Sequence, residues 1–256
     1  MKESIEIHHL TVNYEKISAL RDIDLRIPKG SLVGIIGPNG AGKSTLLQSL
    51  VGSIKPFSGT ILFSGKPFSK MRQKIAYVPQ KRAIDWEFPI TVLDVVLMGR
   101  YPKLKGFKWY RKEDKKAAKA ILERLEMGSL ENRQISALSG GQQQRLFIAR
   151  ALLQEADFFF LDEPFSAVDQ ATEAVIIGIL KELRDQEKTI LVVHHDLKTA
   201  AQYFDQAILI NTSLVFWGKT KDALSSANIS RAYGQKRELF NEATSLSSKE
   251  KAGLLP

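Results

Sequence analysis

Cysteine is absent from this 256-residue chain, which excludes disulfides and thiolate metal sites and fits a reducing interior without requiring one. Histidine is scarce, and its four copies fall in two adjacent pairs, His8-His9 and His194-His195. Neighbours on a strand point to opposite faces, so neither pair makes a good chelate. No apolar run reaches the roughly 18 residues of a membrane span. Residues 1–9 carry charge throughout and lack the apolar stretch of a signal peptide, so the expectation is a soluble, unexported protein. No heptad run is found, which leaves no material for long coiled-coil arms.

What is present is ordinary globular material: 44% hydrophobic and 25% charged residues, enough for one large or two small domains with a sizeable core. The formal net charge of +9 tolerates nucleic acid, an anionic membrane surface or a ligand such as ATP. The local excess lies in residues 103–119. A solvated helix face and a lipid-headgroup or partner contact are both open there, and charge alone decides neither.

Ile23, Leu25 and Ile27 alternate with Asp22, Asp24 and Arg26, the pattern of a strand with one wet face. Residues 31–36, 158–161 and 190–193 are apolar on both faces, which predicts short parallel strands covered on both sides. Helices are predicted at 43–51, 114–127, 139–153 and 170–185 from period and caps, with Ala117, Ala120, Ile121 and Leu125 as the apolar positions of the second. Strand-like segments cluster in 1–80 and 157–217, with helices and loops from about 84 to 153. The domain is therefore expected to span 1–240 with a helical insertion at 84–153. Residues 241–256, rich in Ser and Lys, read as a loose tail.

Gly37-Pro38-Asn39-Gly40-Ala41-Gly42-Lys43-Ser44-Thr45 matches the phosphate-binding loop pattern between an apolar strand and a helix. Its glycines let backbone N–H groups surround phosphate oxygens, and the helix starting near Lys43 adds its positive dipole end. Lys43 is placed to reach the β- and γ-phosphates and Ser44 to ligate Mg²⁺. The apolar strand at 158–161 ends in Asp162 and Glu163. Asp162 suits Mg²⁺ binding beside Ser44, and Glu163 can accept a proton from attacking water. Leu138-Ser139-Gly140-Gly141-Gln142 combines a serine cap with a glycine pair that leaves N–H groups open to an anion.

These motifs, in this order, resemble the ATP-binding-cassette (ABC) ATPase family over nearly the whole chain. The resemblance implies an α/β fold: a RecA-like P-loop NTPase core with a mixed sheet, an antiparallel β subdomain and an inserted α-helical subdomain. It makes LSGGQ at 138–142 the family signature. Gln80 becomes the glutamine that senses Mg²⁺ or water and the permease, and Asp169 the D-loop aspartate, with Val168 where leucine is usual. His195 rather than His194 becomes the switch histidine, because it directly precedes Asp196, and Tyr14 the ring that stacks on adenine. ATP is then sandwiched between the phosphate loop of one subunit and the signature of a second. Cofactors would be ATP and Mg²⁺.

Residues 84–100 and 193–197 resemble the manganese/zinc/iron-chelate importers. The implied partners are an integral-membrane permease, a second ATPase subunit, with a homodimer expected but not fixed by the sequence, and indirectly an extracytoplasmic substrate-binding protein, with this chain on the cytoplasmic face of the membrane and no nucleic acid bound. Trp86 and Phe88 would then anchor the permease contact, or both simply pack the helical subdomain. Competing expectations are a non-transport ABC ATPase acting on nucleic acid or as a scaffold, and a soluble phosphotransferase.

Overall fold

The computed structural model describes residues 3–15, 17–80, 84–104, 109–166 and 168–234; the tail at 241–256 lies outside them. Among the described residues ten strands form two sheets. The first is antiparallel, in the order β2-β1-β4-β5, from β1 (Glu3–Tyr14), β2 (Ile17–Pro28), β4 (Ser58–Phe63) and β5 (Lys66–Pro67). The second, in the order β10-β9-β3-β8-β7-β6, contains β3 (Leu32–Ile36), β6 (Ile75–Val78), β7 (Phe158–Asp162), β8 (Thr189–Val193), β9 (Gln206–Asn211) and β10 (Ser213–Lys219). Its strands pair in parallel except for the β9–β10 hairpin at one edge.

Helices α1 (Lys43–Leu50), α2 (Phe68–Met71), α3 (Val92–Leu97), α4 (Lys112–Arg124), α5 (Gly140–Leu153), α6 (Gln170–Asp185), α7 (Leu197–Tyr203), α8 (Thr220–Ala223) and α9 (Ser226–Tyr233) complete the described fold. Between β6 and β7, the described residues of 92–153 hold α3, α4 and α5 and no strand.

The parallel strands bury both faces, as their unbroken apolar runs predict. Val33, Ile35, Phe158, Phe160, Leu191 and Val193 point into a core shared with the antiparallel sheet and α1. Leu32, Ile36, Phe159, Leu161, Ile190 and Val192 point into a second core under the helices. In β2, by contrast, Ile23, Leu25 and Ile27 are buried while Asp22, Asp24 and Arg26 are exposed. Phe160 is fully buried, and its ring lies 6.2 Å from that of Phe63. Phe160→Ala should therefore destabilise the protein by about 3–5 kcal/mol in a denaturant titration. A loss below about 1 kcal/mol would mean this inter-sheet core collapses freely around the void.

Helix α4 departs from the expected 114–127. It begins two residues earlier because Asp114 accepts a hydrogen bond from Arg111 N (2.9 Å) and closes the first turn. Beyond Arg124 the chain leaves the helix in a tight turn, with Met127 N donating to Leu122 O (2.8 Å). The buried stripe runs through Ala118, Leu122 and Leu125, and Ala120 is exposed. Several alanines in a row satisfy two helical faces equally well, and packing on α3 and α5 selects one.

Candidate nucleotide and divalent-cation site

Parallel pairing sets the C-terminal ends of β3, β8, β7 and β6 side by side along one sheet edge. Four distant segments therefore emerge together: the phosphate loop after β3, His194-His195 after β8, Asp162 and Glu163 at the end of β7, and Gln80 after β6. Ligands of parallel α/β sheets bind at this edge.

The loop from Gly37 to Gly42 turns directly into α1. Gly42 caps the helix at φ 94°, and a Cβ there would also lie 2.5 Å from the carbonyl oxygen of Ala19 in β2. A Cβ on Gly37 would lie 2.1 Å from the carbonyl oxygen of Ile210 in β9, so neither position admits another residue without backbone movement. Asn39 and Gly40 are exposed at the loop tip, Pro38 and Thr45 are half-buried, and Ala41 is packed inside. Lys43 Nζ donates to the carbonyls of Gly37 and Pro38, at 2.9 Å each. This ammonium is buried. Burial pushes its pKa down, and the nearby charges of Glu163 and Asp162 hold it up.

Across from the loop, Ser44 Oγ donates to Asp162 Oδ1 at 3.0 Å, and Gln80 Nε2 donates to Glu163 Oε2 at 2.9 Å. Asp162 is buried, and burial raises its carboxyl pKa despite the Ser44 bond that lowers it; the adjacent Glu163 raises it further. Glu163 has φ 51°, a left-handed conformation that costs a non-glycine residue about 1–3 kcal/mol. The turn aims its carboxylate at Gln80 while Asp162 faces Ser44. A buried carboxylate held against a hydroxyl, with a second carboxylate adjoining, is a hard-oxygen set suited to a divalent cation such as Mg²⁺.

The two histidines lie just beyond the end of β8 and differ in burial. His194 is buried; its Nε2 lies 2.7 Å from Thr199 Oγ1, and Phe165 and Phe204 pack on its ring edge to face. Burial, with His195 beside it, lowers its pKa to about 4, so it is a neutral packing residue at neutral pH. His195 is the exposed member of the pair. Tyr14, 47% exposed, sits at the β1–β2 hairpin end opposite Ile17. That hairpin's second strand touches Gly42 through Ala19 and Leu20.

The signature segment is not joined to this cluster. Ser139 caps α5, accepting from Gln142 N (3.4 Å), and Gln142 Oε1 accepts from Ser139 N (2.9 Å). Among the described residues no hydrogen bond links Ser139, Gly140, Gly141 or Gln142 to the phosphate loop; the nearest neighbour of a Cβ on Gly141 is Val168, at 3.9 Å. Asp169 caps α6, accepting from Thr172 N (2.8 Å) and Thr172 Oγ1 (3.1 Å), bonds that hold its carboxyl below the usual range.

Three arrangements carry no local signal in the sequence. Arg150 on α5 lies over the Phe147 ring at 4.6 Å and donates to Tyr77 O at 2.8 Å, tying the signature helix to the strand that leads to Gln80. A cavity of about 670 Å³ between the helical segment and the sheet core is lined by Phe68, Arg72, Tyr77, Met98, Tyr101 and Arg150, among others. His9 Nδ1 lies 2.8 Å from Asp22 Oδ1 and 3.2 Å from Asp24 Oδ2, an exposed ion-pair cluster that raises the imidazole pKa. Trp86 and Phe88 part company: Trp86 is half-buried with its ring edge-on to Phe147 at 5.4 Å, while Phe88 is 56% exposed.

Comparison with known proteins agrees with this geometry. A family profile described as "ABC transporter" matches residues 20–166. The chain is 49% identical over 231 residues to the zinc transport system ATP-binding protein TroB of Treponema pallidum, covering 90% of this chain and 87% of that one. It is equally 49% identical over 230 residues to the manganese transport system ATP-binding protein MntB of Bacillus subtilis, covering 90% and 92%. Among solved structures, a dimeric ATP-binding cassette in a post-hydrolysis state with ADP and Pi superposes with a TM-score of 0.76 at 30% identity, covering 84% of this chain and 98% of that one.

Proposed function

The chain belongs to the ABC transporter family of ATP-binding subunits, and from that premise we propose that it powers import of a transition-metal ion, manganese or zinc, through a separate membrane permease. ATP hydrolysis is the family's chemistry. The observation that carries the assignment of roles is the pair of hydrogen bonds at the sheet edge, Ser44–Asp162 and Gln80–Glu163. The choice of metal rests on the similarity to zinc and manganese transport subunits.

In this reading the loop N–H groups of residues 37–45 and the Lys43 ammonium bind the phosphates, Tyr14 stacks on the adenine, and His195 meets the γ-phosphate. Burial lowers the Lys43 pKa, and the charges of Glu163 and Asp162 oppose that fall. Ser44, Asp162 and Gln80 would hold Mg²⁺, which when bound neutralises charge building on the phosphate oxygens. Glu163 takes the proton from the attacking water. The Gln80 amide orients that carboxylate, so a change in the position of Gln80 reaches the base directly.

The signature residues Ser139 to Gln142 act on the nucleotide of a second copy, with Asp169 at the same dimer contact, so the working unit is a dimer. No helix among the described residues is long and apolar enough to cross a membrane. In this reading the chain docks peripherally on the cytoplasmic face, and the cavity beside Met98 and Arg150 receives a permease segment. Phe88 adds an apolar contact at its exposed position, whereas Trp86 belongs to the packing of the helical subdomain. The cargo never touches this chain; the permease and an extracytoplasmic binding protein select it.

The test is uptake of manganese, zinc and iron in cells expressing the subunit with its permease. Manganese or zinc should accumulate in an ATP-dependent way. Met98→Asp, which puts a charge in the docking cavity, should lower uptake about tenfold while nucleotide binding by the isolated chain stays intact. Uptake of none of the three metals would overturn the transport reading.

A further inference from the structure

Residues 103–119 carry eight Lys and Arg against Glu113 and Asp114, so this short stretch holds six of the chain's nine net positive charges. On α4, Lys112, Lys115, Lys116 and Lys119 recur at the spacing of a single helical face, away from the stripe buried through Ala118 and Leu122, and all four are exposed. Lys119 is paired with Glu131 at 2.9 Å. Lys112, Lys115 and Lys116 have no ion pair among the described residues, and Asp114 is already engaged by Arg100 at 3.2 Å. Three cations in the first half of a helix also oppose its dipole.

Immediately before this helix stands Trp109, 80% exposed, the barest large apolar side chain among the described residues. An amphipathic indole beside a row of lysines is the composition of a surface that meets lipid headgroups. Its position agrees. Tyr101, Pro102 and Leu104 line the cavity assigned above to the permease, and the Arg100–Asp114 ion pair at 3.2 Å holds the first turn of α4 beside that segment. The basic face thus flanks the surface turned toward the membrane-embedded partner.

We propose that Trp109 together with the Lys112, Lys115 and Lys116 face of α4 is a lipid-contact surface that takes the anionic phospholipid headgroups of the membrane holding the permease. Charge complementarity selects this occupant: a leaflet with a negative surface potential attracts each nearby lysine, and the attraction decays within a Debye length. The inference rests on the permease-bound reading above.

The full chain without permease is mixed with vesicles of phosphatidylcholine alone or with added phosphatidylglycerol. It should co-sediment with the anionic vesicles only, and high salt should release it. Lys112→Gln, Lys115→Gln and Lys116→Gln combined should lower the partition coefficient about a hundredfold, a few-fold per lysine. A charge-matched control, Lys55→Gln, Lys66→Gln and Lys221→Gln, should lower it far less. In a chain with Trp86→Phe and Trp217→Phe, brominated lipid should quench Trp109; if that variant does not fold, the sedimentation series on the intact-tryptophan chain decides.

Equal binding to both vesicle types, or equal loss in the control, overturns the proposal. So does Trp109 shielding that appears only on adding detergent-solubilised permease, which would assign the face to an acidic segment of that protein. Permease binding in detergent is measured separately. Its presence without vesicle binding sinks the lipid surface alone, and its absence sinks the transport reading alone.

Discussion

Glu163→Gln should bind MgATP with near-normal affinity and hydrolyse it about 10²–10⁴-fold more slowly. Glutamine is isosteric with glutamate and can still receive the Gln80 Nε2 hydrogen bond that Glu163 accepts at 2.9 Å. It also pays the same backbone strain at φ 51°, so the fold and the pocket should be unchanged. What it lacks is a lone pair basic enough to take the proton of the attacking water. Asp162→Asn should fail differently. That carboxylate faces Ser44 Oγ at 3.0 Å and not Gln80, so its loss should appear as weakened, Mg²⁺-insensitive nucleotide affinity. Nucleotide binding by fluorescence and single-turnover hydrolysis separate the two. Turnover by Glu163→Gln within about twofold of wild type would remove Glu163 from the base role.

The second large effect concerns pairing between copies. Lys43→Ala and Ser139→Arg should each abolish activity alone, the first by removing the buried ammonium from the phosphate loop and the second by blocking the N-terminus of α5. Co-expressed with different tags, they form mixed dimers. If the signature of one chain closes on the nucleotide of the other, one composite site carries both lesions and the other carries none. Mixed dimers should then regain ATP-dependent closure, read by cross-linking across the interface, along with hydrolysis where one site can fire alone. If both motifs served the same chain's nucleotide, every site would carry one lesion and mixing would rescue nothing. The lack of any hydrogen bond from Ser139–Gln142 to the phosphate loop of the same chain, among the described residues, is the structural ground for expecting rescue. Mixed dimers without closure, beside a wild type that closes, would refute it.

Much of the molecule was legible because its signals are local. The doubly apolar strands at 158–161 and 190–193, the serine cap at 139 and the helix at 170–185 each depend on contacts within a few residues or on a short period, and each appears where expected. The phosphate loop likewise carries its glycines, lysine and serine in one contiguous run. Where the local pattern was degenerate it misled. Ala117, Ala118 and Ala120 allow two faces for α4, and tertiary packing buried Ala118 and left Ala120 in solvent. Trp86 and Phe88 read alike in sequence, yet among the described residues Trp86 packs edge-on to Phe147 while Phe88 is exposed.

The sequence by itself thus determined which segments become strands and helices and which carry phosphate chemistry, since backbone propensity, capping and side-chain period act over short range. Only the tertiary structure decided which of those segments meet. Ser44 and Asp162 lie 118 residues apart and Gln80 and Glu163 lie 83 apart, yet both pairs hydrogen-bond. Their meeting depends on the order β3-β8-β7-β6, and parallel strands acquire neighbours through crossovers whose route is set by burial of the whole sheet on both faces. The same long-range packing put His194 inside and His195 outside, joined Arg150 to Tyr77, and gathered His9, Asp22 and Asp24 across two strands, because each contact depends on a register that no single stretch of chain contains.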